Sequence, residues 1–115
     1  MLEITSTSTT GYLHILLRGQ ITSTTAVQLD QALTAAIAGQ ARPQCLLDLS
    51  ELDYTSSAGL RVFLTFAKRV KNAGGQLVFC AVQPTVHTVL EVSGFTQILT
   101  LVPDAAAARD RFLPR

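Results

Sequence analysis

Two adjacent serines stand where a short segment can do chemistry. Ser56 and Ser57 follow Thr55 and precede Ala58, Gly59, Leu60 and Arg61. Beyond them Leu60, Phe63, Leu64, Ala67 and Val70 recur at three- and four-residue steps, which line one face of a helix. The serines therefore fall at that helix's first turn. A hydroxyl there accepts a hydrogen bond from backbone N–H groups that have no partner within the helix. The same end carries positive partial charge and favours an anion. The residues alone leave both uses open: a serine that caps the helix, or a serine that carries a phosphate.

A third use, nucleophilic attack, needs a base and an oxyanion hole. There is no Gly-x-Ser-x-Gly elbow, and His14 and His87 fall inside a predicted strand and a predicted helix. A small hydrolase is the enzyme alternative; the expectation is no enzyme. Gly74–Gly75 is a helix stop, because no Gly-x-x-x-x-Gly-Lys pattern follows it. Asp48 is expected to end a strand, where α/β proteins often place functional groups, and to order the following loop rather than act as an acid or a metal ligand. Cys45 and Cys80 lie in separate apolar runs without metal-ligand spacing. They are expected as buried, reduced thiols, with no metal and no cofactor.

A chain of 115 residues is expected to be one domain, 1–115, and 48% apolar residues suffice for a packed core. Charged residues make up 15% and the net charge is +1, which is not the electrostatic footprint of a nucleic-acid binder. Lys68, Arg69 and Lys71 belong to the solvent face of a helix. No apolar run approaches the length of a membrane span, and the first residues lack the basic and apolar regions of a secretory leader. A cytoplasmic protein is expected, with neither membrane nor nucleic acid among its partners.

Hydrophobic periodicity gives the elements. Residues 2–8 read as an edge strand, and 12–18 as a second strand with Leu13, Ile15 and Leu17 on one face; Thr9-Thr10-Gly11 turns the chain between them into a hairpin. A helix over 25–38 presents Ala26, Leu29, Leu33, Ala36 and Ile37, and Gly39 ends it. The apolar run at 45–49 marks a strand over 44–49, followed by the helix of Leu60 and Phe63. Val62 shares the other side of that helix with Arg61, Thr65 and Arg69 and is expected at a docking face. Residues 76–82 form a near-continuous apolar run, as in a central parallel strand. Pro84 opens a third helix, Gly94 closes it, residues 95–101 form a last strand centred on Ile98 and Leu99, and a terminal helix follows Pro103–Asp104 with Ala105, Ala108 and Phe112 on one side. The order β-β-α-β-α-β-α-β-α implies a mixed, mostly parallel sheet of about five strands behind a leading hairpin, with four helices mainly on one face.

The stretch from Asp48 through Leu49, Ser50, Leu52 and Tyr54 to Ser56-Ser57-Ala58-Gly59-Leu60-Arg61 resembles the signature of STAS domains, the family of bacterial anti-sigma factor antagonists. Gly19-Gln20-Ile21, Gly74-Gly75, Pro84 and Ser93-Gly94-Phe95 extend the resemblance over most of the chain, and STAS domains have the architecture just described. The commonest family core is Asp-Ser-(Ser/Thr)-Gly-Leu, whose serine falls on Ser57; here Ser56 replaces the aspartate and Ala58 the second hydroxyl. The resemblance implies phosphorylation of Ser57, with Ser56 the runner-up and Thr55 well behind. It implies a partner-binding face of Thr22, Ser56, Ser57, Ala58, Gly59, Leu60, Arg61 and Val62. The implied partners are an anti-sigma factor that is itself a serine kinase and a PP2C-type phosphatase, with the protein a monomer or weak dimer. Asp48, Glu51 and Asp53 are expected to make the switch region acidic. The same fold also serves partner switches with targets other than a sigma factor, and ligand-binding or scaffold modules.

Overall fold

The computed structural model describes residues 1–112. Strands β1 (Leu2–Thr9) and β2 (Tyr12–Ile21) pair antiparallel across a two-residue turn, Thr10-Gly11. Then come α1 (Ser23–Ile37), β3 (Gln44–Thr55), α2 (Ser57–Asn72), β4 (Gln76–Cys80), α3 (Pro84–Val92), a 3₁₀ turn (Phe95–Gln97), β5 (Leu101–Val102) and α4 (Ala105–Phe112). The sheet order is β1-β2-β3-β4-β5, and every pair after the hairpin is parallel. The α/β class, the leading hairpin, the five-stranded mixed sheet and the four helices are as the periodicity implies.

The core lies on one face of the sheet. Ile15, Leu17, Leu47, Leu49 and Phe79 meet Ala26, Leu29 and Leu33 of α1, Leu60, Phe63, Phe66 and Val70 of α2, and Val86 and Leu90 of α3. Phe66 belongs to the α2 stripe although the three- and four-residue count above omits it; it lies one turn from Phe63 and is buried. Phe63 meets Phe79 edge to face at 5.3 Å between ring centroids. Among the described residues only α4 covers the opposite face, packing Ala108 on Leu46, Val78 and Cys80 while Phe112 stacks on Tyr12 at 4.9 Å. Ala105, expected beside Ala108, is exposed.

Three expectations need correction. First, β3 does not stop at Leu49 but runs to Thr55. Its pairing with β2 slips twice: Leu16 meets Asp48 but Arg18 meets Glu51, and Gly19 meets Leu52 but Gln20 meets Tyr54. Each slip inserts one extra residue, a β-bulge. The bulges bring Leu49 and Leu52 both to zero exposure although three positions separate them. Strict alternation is lost, so the segment looks like a loop in sequence. Asp48 is therefore a mid-strand residue.

Second, β4 ends at Cys80 rather than Val82, because Ala81 takes a positive φ of 55° and turns the chain away. Third, residues 95–101 are not one strand. Gly94 at φ 79° and hydrogen bonds from the Ile98 and Leu99 amides to the Phe95 carbonyl (3.0 and 2.8 Å) wind the segment into a 3₁₀ turn. Leu99 then enters the core and Ile98 is left 62% exposed. Helix α2 ends as expected, with Gly74 at φ 77°; a Cβ on Gly75 would overlap the Pro43 carbonyl oxygen, so the chain can pass there only as glycine.

Cys45 faces the three-helix side and Cys80 faces α4, so the sheet itself separates the two thiols. Both are free and buried. Burial pushes the Cys45 thiol up to about 11; burial, then the carboxylates of Asp48 and Asp104, push Cys80 up to about 12. Both residues should resist a thiol reagent at pH 8 in the native protein and react once it is denatured. Above an ordinary thiol pKa of 9.0 the unfolded chain loses these protons while the folded chain keeps them, so folding stability should fall as pH rises from about 9. Urea midpoints between pH 8 and 10.5 check this, and Cys80→Ala should flatten the decline.

Candidate functional site: the amino end of helix α2

β2 and β3 end side by side, with Ile21 opposite Thr55. Each strand hands the chain directly to a helix, so the amino ends of α1 and α2 are neighbours. Thr22 caps α1: its hydroxyl accepts from the Thr25 amide at 3.2 Å, while the Thr25 hydroxyl accepts from the Thr22 amide at 2.7 Å. Ser56 caps α2: its Oγ accepts from the Gly59 amide at 3.3 Å and its carbonyl from the Leu60 amide at 3.1 Å. The Ser56 amide donates to the Ile21 carbonyl at 2.8 Å, which ties the start of α2 to the end of β2. Thr22 and Ser56 are thus brought together from positions far apart in the chain.

The three hydroxyls of the motif have different environments. Thr55 is buried at 4% exposure, and its Oγ1 donates to the Ser56 carbonyl. Ser56 is half-buried and occupied as the cap. Ser57, the first residue of α2, is exposed. One hydroxyl is locked in, one is used for folding and one faces solvent beside the positive end of a helix of 16 residues.

Gly59 explains why the helix can start so close to the sheet. A Cβ there would overlap Thr55 Oγ1 and come within 2.7 Å of Ile21 Cγ2. Gly59 and Leu60 are both buried, whereas Arg61 is exposed. Ala58 and Val62 are half-buried and pack on the edge of the core, so Val62 is not clear of it as expected. Together with Ala26 and the 59% exposed Val27 of α1 they line a shallow groove of about 290 Å³ between the two helices, with Arg61 beside it. Arg69 bridges the same helices farther along, at 2.6 Å from Thr34 Oγ1 and 3.9 Å from Asp30. Val27 escaped the sequence reading, because a single exposed apolar residue next to a core stripe carries no signal until a second helix is laid beside it.

The expected acidic surroundings are also corrected. Asp48, Glu51 and Asp53 each find a partner on β2, on the sheet face away from α1–α3. Asp48 Oδ2 lies 2.9 Å from His14 Nε2, Arg18 forms a two-pronged pair with Glu51 at 3.0 and 3.1 Å, and Gln20 Nε2 donates to both oxygens of Asp53. Burial alone would raise the Asp48 carboxyl, but hydrogen bonds from Ser50 and His14 outweigh it and hold the group below its ordinary value. Asp48 thereby shapes the first bulge, accepting from the Ser50 amide at 2.9 Å. Arg18 is raised by its bond and charge contact with Glu51. His87 is exposed on α3. Among the described residues no cluster of three or more His, Cys, Asp or Glu could hold a metal ion, and no helix is long and apolar enough to cross a membrane.

A five-stranded mixed sheet of this order, with the strand-to-helix turn carrying Ser56-Ser57-Ala58-Gly59-Leu60, defines a class. The STAS domain family matches residues 3–108, and the chain belongs to that family. It is 40% identical over 117 residues, covering 99% of this chain and all of the relative, to BtrV of Bordetella bronchiseptica, a protein named for an anti-sigma factor antagonist role. Among solved structures, an anti-sigma factor antagonist from Mycobacterium paratuberculosis superposes with a TM-score of 0.84 at 22% identity, covering 97% of this chain and 94% of that one. The Bacillus cell fate determinant SpoIIAA, solved in its phosphorylated form, superposes with a TM-score of 0.71 at 19% identity over 96% and 98% of the two chains.

The two serines should separate by mutation. Ser56→Ala removes the cap and should cost about 1 kcal/mol of stability, whereas Ser57→Ala should stay within about 0.5 kcal/mol of the parent. Gly59→Ala forces the overlap with Thr55 and Ile21 and should cost about 1–3 kcal/mol. Urea denaturation with unchanged m-value checks all three; equal effects of the two serine variants would show that the cap is misassigned.

Proposed function

We propose that this chain is an anti-sigma factor antagonist worked by a phosphorylation-controlled partner switch, with Ser57 the acceptor. The observation that carries the reading is the division of labour among the hydroxyls: Thr55 is buried, Ser56 is engaged by the Gly59 amide, and Ser57 alone is exposed. Family membership and the names of the relatives support it. The unphosphorylated chain binds an anti-sigma factor of the serine-kinase type through Thr22 and residues Ser56, Ser57, Ala58, Gly59, Leu60, Arg61 and Val62, and the sigma factor is released. The reaction is in the cytoplasm, ATP is the kinase's substrate, and a PP2C-type phosphatase restores the binding form. This chain supplies no catalytic group.

The physics of such a switch is local. A phosphate adds roughly 1.5–2 negative charges and strong acceptor oxygens. At the first position of α2 the helix's own partial charge tolerates it. The partner surface, built to meet a small neutral hydroxyl next to the apolar groove of Ala58 and Val62, has to desolvate it. Binding weakens without any refolding of the antagonist.

Ser57→Asp should bind the kinase partner at least about tenfold more weakly than the parent, while Ser57→Ala keeps its affinity. Phosphopeptide mapping of protein from its own cells should find the modification on Ser57 in a condition-dependent amount. Equal binding of the Asp variant and the parent, or a modification confined to Ser56, would sink the proposal.

A further inference from the structure

A second cleft, of about 380 Å³, opens beside the carboxyl-terminal half of α2, away from the serines. Its origin is the failure of residues 95–101 to form a strand. Among the described residues β5 pairs with β4 only at Phe79–Leu101 and Cys80–Val102, so Gln76, Leu77 and Val78 have no described strand neighbour on that side. Thr100 still accepts from the Phe79 amide at 2.8 Å, so the chain leaves β4 only before it, at Ile98 and Leu99, and α2 closes the wedge. Phe79 and Leu99, both buried, line it with half-buried Leu64, Ala67 and Leu77; Ile98 lines it too and is 62% exposed.

Two cations share this apolar cleft. Lys68 and Lys71, three residues apart and hence neighbours on the helix, both line it. Among the described residues the ion pairs are His14–Asp48, Arg18–Glu51 and Arg69–Asp30, so neither lysine has a carboxylate partner. Lys71 in the last turn also complements the helix's negative end, and Lys68 lies just before that turn.

We propose that this cleft binds a medium-chain acyl anion, its alkyl chain wedged between β4 and the Ile98–Thr100 segment and its carboxylate against Lys68 and Lys71. The chemistry of the walls selects this class. A nucleotide or inorganic phosphate would satisfy the lysines but leave Leu64, Leu77 and Ile98 against a polar ligand. A neutral hydrocarbon would gain nothing from the two ammonium groups, which stand exposed at the rim of the cleft. A β-strand would find only three free residues on β4, at the lower limit of usual strand length. The volume lies at the lower end of small-molecule sites, and a ligand of about a dozen heavy atoms there should bind with a Kd on the order of 0.1 mM. Helix α2 is about 24 Å long, so this site and Ser57 sit at opposite ends of one rod and the proposal does not depend on phosphorylation.

The test is an amide NMR titration of the full chain with decanoate, run beside decyltrimethylammonium. Decanoate should give saturable shifts at Leu64, Ala67, Leu77 and Ile98, and decyltrimethylammonium should bind about tenfold more weakly. Lys68→Gln with Lys71→Gln, on the solvent side of the helix, should weaken decanoate about fivefold and erase the preference for the anion. Ser57→Asp should titrate like the parent. Absence of saturation at these residues, or equal affinity for both amphiphiles, overturns the proposal. Sedimentation with phosphatidylglycerol vesicles separates the sources: a site for free acyl anions leaves the protein in the supernatant, whereas sedimentation with vesicles while decanoate is silent overturns the proposal in favour of a lipid surface.

Discussion

The close approach of α2 to the ends of β2 and β3 is the constraint on which the site depends. Helix and sheet touch at Gly59, where a Cβ would overlap Thr55 Oγ1 and crowd Ile21. Because that contact is tight, Thr55 is sealed beneath the helix and the Ser56 amide reaches the Ile21 carbonyl at 2.8 Å. Ser56 is then placed to cap, and Ser57 becomes the first helical residue with its hydroxyl in solvent. The roles of three consecutive hydroxyls follow from one glycine. A larger residue would push the helix out and blur all three.

The same contact explains how a variant motif keeps the family geometry. The commonest family core has an aspartate where this chain has Ser56. Aspartate and serine are equally good N-caps, because either side-chain oxygen can accept from the second or third amide of the helix. The Ser56–Gly59 bond shows the serine doing that task. What changes is charge: the cap here is neutral, so the helix's positive end is left less compensated beside Ser57.

Much of this was legible in the sequence. The apolar steps of α1 and α2, the hairpin at Thr10-Gly11, the stop at Gly74-Gly75 and the start at Pro84 are local signals, and the structure follows them. The signal failed where tertiary contacts decide. Residues 50–55 look like a loop because two bulges break their alternation, yet pairing with β2 makes them strand. Residues 95–101 have strand composition, but Gly94 and the Phe95 carbonyl wind them into a turn while Leu99 goes to the core. At the site, the place of the serines at the start of a helix could be read from their order, whereas the close approach at Gly59 could not. The groove with Val27 and the pairing of Asp48, Glu51 and Asp53 with β2 could not, since each joins residues some thirty positions apart.

That pairing also bears on the force of a switch. Three carboxylates lie within ten residues of Ser57 in sequence, and a crowded acidic patch would make one more negative charge a small change. In the fold His14, Arg18 and Gln20 take up those carboxylates on the sheet face away from α1–α3. The groove by Ser57 is instead lined by Ala26, Val27, Ala58 and Val62 with Arg61 at its side, and its one carboxylate, Asp30, lies 3.9 Å from Arg69. On a chain whose net charge is +1, a phosphate there would reverse the sign of the whole protein and place its charge beside a mainly apolar groove flanked by Arg61. The contrast between the two states is therefore set by β2 as much as by the serine: by holding the acids of β3 to the outer face, it keeps those three carboxylates away from the amino end of α2.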